Sequence, residues 1–246
     1  MSLETPHFLL LLAGITVVAF LYSSVGHAGA SGYIAVMTLC GLSATFIRPT
    51  ALVLNILVAA IGSFQFWRAG YFSWRLFWPF ALLSIPTAYL GGYLPLPAQV
   101  LKILIGAVLL FSAVRLFFRQ GDPPDVAPPI VPLAVGMGAG IGFLSGLTGT
   151  GGGIFLTPLL LFCSWASIRG AAAVSALFIL VNSIAGLAGY ISSGRPIPNF
   201  AWILAVAAVI AGTLGSHLGS QRFPVRTISV ILATVLVLAG CKLIFW

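Results

Sequence analysis

The sequence predicts an all-α, polytopic membrane protein. It reads as two repeated halves, each with a broken, hairpin-like first helix followed by three spanning helices. Composition, a train of apolar blocks and an internal duplication carry this reading. Of 246 residues, 60% are hydrophobic and only 6% are charged, and the mean hydropathy is +1.15. A soluble domain carries about 25% charged residues, and so few charges could not cover a globular surface. Nearly all of the chain therefore belongs in a bilayer. Soluble enzymes, nucleic-acid binders and disulfide-stapled secreted domains are excluded at this step.

Residues 1–7 are short and lack a basic run, so the segment from Phe8 reads as a retained helix and not a cleaved signal. Apolar blocks then run 8–22, 33–42, 50–67, 76–94, 98–118, 130–147, 154–165, 171–191, 200–218 and 225–246. A spanning helix needs ~20 apolar residues. Seven blocks approach that length, and the three at 8–22, 33–42 and 154–165 fall short. The stretch Phe8 to Leu42 holds 35 residues. As one helix it would measure ~52 Å, too long for a single ~30 Å hydrocarbon core and too short for two full crossings. A chain that turns back near Gly26–Gly32 fits that length. One polar, proline-rich linker, residues 120–129, separates a first membrane repeat (1–119) from a second (130–246).

The halves align with each other. Val25 to Ala30 matches Thr148 to Gly153 at an offset of 123, and Cys40 meets Cys163 at the same offset. Ile47-Arg48 meets Ile168-Arg169 at 121, Leu90 to Leu94 meets Leu214 to Leu218 at 124, and Pro97 meets Pro224 at 127. Short, glycine-interrupted segments at matching positions of two halves are the sequence pointer to a transporter's binding site.

Charge gives an orientation. With hairpins, the repeats are inverted and Arg48, Lys102, Arg195 and Lys242 share the side of the N-terminus, leaving seven basic residues opposite four. Eight simple crossings would split them six against five. The positive-inside rule favours hairpins with the N-terminus extracytoplasmic, and the margin rests on Arg48 and Arg169. The only acids, Glu4, Asp122 and Asp125, lie outside the apolar blocks. A cation site or carboxylate proton relay would need one inside, so a cationic substrate is disfavoured.

The glycine-rich breaks carry the chemistry. Helices restarting near Ala30 and Ile154 would turn free N–H groups and positive dipole ends toward the breaks, an anion site made mostly of backbone. The alternative is close helix packing by small residues. The candidate substrate-binding residues are Ser24, Gly26, His27, Gly29 and Ser31 in the first break, and Thr148, Gly149, Thr150, Gly151, Gly152 and Gly153 in the second. Arg48 and Arg169 add guanidinium forks suited to oxyanions, or else snorkel to headgroups. Asn55 and Asn182 lie inside long apolar blocks, where an amide bonds a neighbouring helix or a bound oxyanion. His27 and His217 are the membrane-region groups that could titrate near neutral pH. Cys40, Cys163 and Cys241 show no metal spacing and read as small buried hydrophobes. No cofactor is implied.

The run Gly146 to Leu160, G-L-T-G-T-G-G-G-I-F-L-T-P-L-L, resembles the signature of the TauE/SafE sulfite exporter family. The divergent first-half copy Ser24 to Tyr33 and the stretch from Ile168-Arg169 to Asn182 are also similar, and the resemblance extends over the whole chain. It implies a multi-helix transporter, in the cell membrane, of sulfite, sulfonates such as sulfoacetate, or a related small sulfur-containing anion. The first half departs from the glycine pattern at His27, Ala28 and Ala30. The expected partners are the small anionic substrate and the lipid bilayer, with a second copy of the chain as a further candidate and no nucleic acid. Two other functions compete. One is an intramembrane thiol redox enzyme using Cys40 and Cys163, the other a structural membrane subunit that does not transport.

Overall fold

The structure, a computed structural model, describes residues 5–24, 28–95, 97, 99–100, 103–104, 106–107, 110–111, 113–114, 126–221, 237 and 241. Among these residues there are eight bounded helices and no strand. In order they are α1 (Thr5–Ser24), α2 (Ala30–Leu39), α3 (Ala44–Arg68), α4 (Trp74–Tyr93), α5 (Val131–Thr148), α6 (Gly153–Phe162), α7 (Ile168–Ser192) and α8 (Phe200–Gln221). Blocks 98–118 and 225–246, and the linker at 120–129, lie largely outside the described residues. Helix is the form that satisfies every backbone polar group within its own segment, which a hydrocarbon solvent requires. The segments Thr45–Arg68, Val131–Thr148, Ile168–Ser192 and Phe200–Leu218 are long and apolar enough to span a membrane. Leu10, Val206 and Ile210 are at least 60% exposed, so outward faces as well as the core are apolar.

The first apolar pair forms an antiparallel hairpin. A methyl group on Gly14 would meet Val36, and one on Gly32 would meet Val18 and Tyr22. Ser31 Oγ donates to Tyr22 Oη at 3.0 Å. Positions therefore climb α1 while they descend α2. In the second half, the Ala127 N–H donates to Ser164 O at 2.9 Å, which ties the approach to α5 to the end of α6. Cys40 and Cys163, matched in the sequence alignment of the halves, are the C-caps of α2 and α6.

Glycine sets how closely the helices approach. Methyl groups on Gly138, Gly142 and Gly146 would fall 2.3, 2.2 and 2.0 Å from the carbonyl oxygens of Phe80, Ser84 and Ala88. This i, i+4, i+8 ridge lets α5 lie parallel against α4 at backbone contact, the small-residue packing of membrane helices. Gly189 faces Tyr89 O and Gly92 faces Gly186 O. Arg169 at the start of α7 meets Tyr71 just before α4, and Arg195 just past α7 reaches Gly92 O and Tyr93 O, so α7 runs parallel to α4. The contacts between halves are reciprocal. Gly91 of α4 abuts Phe143 O of α5, and Gly215 of α8 abuts Phe20 O of α1. Likewise α4 packs on α5 and α7 as α8 packs on α1 and α3, with α3 against α7 at the centre. The halves interlock instead of forming two separate bodies.

Two elements differ from the block reading. α3 and α7 begin at Ala44 and Ile168, ahead of the blocks at 50–67 and 171–191, so Arg48 and Arg169 lie inside the N-terminal parts of these helices. α3 absorbs Pro49 because Thr45 O, which loses its i+4 N–H donor there, accepts from Tyr190 Oη at 3.2 Å.

Candidate functional site

The second glycine break is the best-defined feature. Gly149, Gly151 and Gly152 have φ of 80°, 73° and 82°, in the left-handed region that side chains with a Cβ avoid. They turn the chain from the end of α5 into α6, whose N-cap Gly152 has no side-chain cap. The N–H groups of the first turn of α6 and its positive dipole end therefore face the break. In the first half Gly29, 123 positions earlier, is the N-cap of α2 with φ 101° and again no side-chain cap. The repeat alignment thus matches two left-handed glycines at two helix starts.

α3 and α7 wall the second break at mid-length. A Cβ on Gly151 would lie 2.7 Å from Ile179 Cγ2, 2.9 Å from Ser183 Oγ and 3.1 Å from Asn55 Nδ2. Asn55 is the twelfth of the 25 residues of α3. Its Nδ2 makes only a long, 3.4 Å bond to Gly149 O, and its Oδ1 is buried without a partner, as is Ser183 Oγ. Buried polar side chains are normally hydrogen-bonded, and an unsatisfied one costs about 1–3 kcal/mol. Ser183 Oγ and the second N–H of Asn55 Nδ2, beside an uncapped helix start, leave donor capacity that an oxyanion can take up, while Asn55 Oδ1 can only accept.

The other predicted residues take varied places. Thr148 Oγ1 donates to Leu144 O at 2.7 Å and pairs with Thr150 Oγ1 at 2.9 Å. Gly153 starts α6. Ser24 ends α1 and bonds back to Leu21 O at 2.7 Å. Ser31 is buried and its hydroxyl is taken by Tyr22. Asn182 turns its Nδ2 onto Phe178 O at 2.8 Å, within its own helix, and its Oδ1 is buried and unpartnered. Gly26 and His27 lie outside the described residues.

The two arginines stand at opposite ends of α3. Arg48, 3% exposed, donates from Nη2 to the carbonyls of Gly91, Gly92 and Gly146 at 2.5, 2.8 and 2.6 Å. It thereby joins the C-terminal ends of α4 and α5. Arg169 is exposed and donates to the Tyr71 hydroxyl at 2.5 Å, just beyond the last residue of α3. Neither presents an open fork to the break.

The candidate site residues read from the sequence do not include Ser183, Tyr33 or Arg195, although Ser183 stands out, with Asn55 and Asn182, as a polar residue inside a long apolar block. Ser183 follows Asn182 directly, and that adjacency was a further signal. A Cβ on Gly29 would sit 2.9 Å from Tyr33 Oη, a buried hydroxyl with no partner. Its position one turn into α2 could have flagged it. Arg195 lies in the loop after α7, where nothing in the sequence marks it out.

Apolar outward faces and uncapped helix starts at mid-depth are features of multi-pass membrane proteins that handle a small solute. The chain belongs to the sulfite exporter TauE/SafE family, whose pattern matches residues 10–243. It is 42% identical to the "Probable membrane transporter protein y4hK" of Sinorhizobium fredii over 93% of this chain and 95% of that protein. It is 28% identical to the "Probable membrane transporter protein YjnA" of Bacillus subtilis, over 96% and 98% of the two chains. A Methanocaldococcus jannaschii protein also designated a probable membrane transporter is 25% identical over 79% of this chain and 77% of its own length. No solved structure matches. Family and relatives point to a multi-pass membrane transporter and not to an enzyme.

Proposed function

We propose that the protein moves a small sulfur-containing oxyanion, such as sulfite or a sulfonate like sulfoacetate, across the cell membrane, and that the Gly149–Gly153 break holds the anion. The observation that carries this reading is the uncapped start of α6 facing Asn55 and Ser183, two buried side chains with unused hydrogen-bonding capacity. The backbone N–H groups, the Ser183 hydroxyl and the Asn55 amide supply donors from three helices. The dipole of α6 favours negative charge there. No carboxylate occurs among the described residues.

The α1/α2 and α5/α6 pairs act as re-entrant hairpins of two inverted repeats, residues 1–119 and 130–246. The reciprocal contacts of α4 with α5 and of α8 with α1 support this arrangement. So does the placement of Arg48 and Arg169 at opposite ends of α3. By the charge count the Arg48 end faces outside. Arg48 serves as a positioning residue that seats α5, and hence the break, against α4. A thiol redox role is disfavoured by placement. Cys40 precedes α3 at the Arg48 end, while Cys163 precedes α7 at the Arg169 end, and no disulfide joins them.

Counterflow of labelled sulfite, sulfoacetate, taurine and sulfate into proteoliposomes tests the substrate class. At least one sulfur anion should exchange. Failure of all four would end the anion reading.

A further inference from the structure

Four polar groups gather where the C-terminal ends of α4, α5 and α7 meet the start of α3. Arg48 reaches Gly91, Gly92 and Gly146 as described, and its Nε is buried without a partner. Arg195 donates from Nε to Ser193 Oγ at 2.6 Å, and from Nη2 to Gly92 O at 2.7 Å and Tyr93 O at 3.0 Å. Both guanidiniums lie over the ring of Tyr190, Arg195 at 4.3 Å and Arg48 at 5.6 Å. Gly92 O thus receives both cations. Helix C-termini favour positive charge, but every acceptor named here is neutral. An oxyanion would bring a full opposite charge and a bidentate match to a guanidinium, which a neutral carbonyl lacks, so it competes well for these donors.

We propose that the Arg48–Tyr190–Arg195 cluster is an anion-exchangeable lock. It shuts this end of the molecule, and a small oxyanion opens it by drawing the guanidiniums off the α4 carbonyls. The proposal rests on the reading of the Gly149 break as the binding site. Arg48 leads directly there, since a Cβ on Gly149 would lie 3.1 Å from Arg48 O. The other end is in a different state. Arg169, matched to Arg48 in the repeat, is exposed and held by Tyr71. Tyr71 also lines a cavity of about 840 Å³ with Gln65, Arg68 and His217. Among the described residues the Arg48 end is tied shut, while a cavity flanks the Arg169 end. In the opposite state Arg169 takes the carbonyls of Gly215 and Ser216, the counterparts of Gly91 and Gly92.

The test uses the full chain in liposomes, with Cys40, Cys163 and Cys241 changed to alanine and Ser145→Cys introduced. Ser145 is fully buried beneath the lock, adjacent to Gly146. An impermeant maleimide is applied from the Arg195 side. The thiol should label slowly with the lock intact, and faster when saturating sulfoacetate is added. Arg195→Gln should label at least about tenfold faster without any anion, the population shift expected from losing even one of the two charge-assisted bonds of Arg195 to α4. Arg195→Lys keeps the charge but not the fork, and should fall between. It carries the test if the glutamine variant does not assemble. Labelling of both variants at the slow parental rate would overturn the lock. A parental rate unmoved by sulfoacetate, taurine and sulfate would overturn anion exchange at it. The binding-site reading fails separately, if Asn55→Leu retains full sulfoacetate affinity.

Discussion

Asn55 and Ser183 contribute little to the fold and much to the proposed site. The only hydrogen bond found for the Asn55 amide is 3.4 Å long, at the limit of useful geometry. Replacing it with leucine removes a desolvated group of similar size, so Asn55→Leu should keep or slightly raise the melting temperature in detergent. Affinity for the transported anion should fall about 10- to 100-fold, the equivalent of ~1.5–3 kcal/mol for a hydrogen bond to a charged group. Equilibrium binding alongside a thermal melt separates the two effects, and a loss of stability with unchanged affinity would make Asn55 structural. Ser183→Ala should act in the same direction, more weakly. The glycines are poorer probes. Valine at Gly152 would strain a φ of 82° and meet Phe178 2.8 Å away, so lost binding could reflect a distorted turn alone.

At the scale of the helix, α5 carries two kinds of glycine. Gly146 faces Ala88 O, while Gly136 and Gly140 have nothing within 4 Å of an added Cβ. Gly146→Ala should therefore push α5 off α4 and prevent stable assembly, seen as loss of the monodisperse peak in gel filtration. Gly136→Ala and Gly140→Ala should be tolerated and should stabilise by roughly 0.5–1 kcal/mol, the helix-interior preference of alanine over glycine. Equal damage from all three would mean that helix propensity, and not contact, decides. A smaller effect belongs to α3. Tyr190→Phe leaves Thr45 O without its donor and should cost about 1 kcal/mol in thermal stability. The aromatic platform under both arginines remains.

For the whole molecule, the arrangement of ends is the measurable quantity. Arg48 and Arg195 share Gly92 O, whereas Arg169 meets Tyr71 at the far end of α3. Single cysteines at Ser193 and at Gly70, in a chain without native cysteines, should label from opposite sides of intact spheroplasts. The site near Ser193 should label from outside. Labelling of both from one side would sink the inverted arrangement, and the reverse pair of sides would sink only the orientation. Such mapping is independent of substrate, so it holds whichever anion is carried.

Membrane residence, the helical class and the two break positions were legible in the chain itself. Each follows from local chemistry: apolar run length, glycine density and a repeat offset of 123 that places Gly29 and Gly152 at equivalent helix starts. The family resemblance, read from Gly146 to Leu160, rested on the same residues. Tertiary structure alone decided which polar groups stay unused. Asn55 and Asn182 look alike in sequence, yet one reaches the second break and the other bonds back to its own helix. Arg48 and Arg169 occupy matching positions, yet one is tied to three carbonyls and the other is held by a tyrosine at the surface. The physical reason is that a hydrogen-bond partner is a property of neighbouring helices, and the interlocking of the halves brings together residues about 100 positions apart, 98 in the case of Arg48 and Gly146.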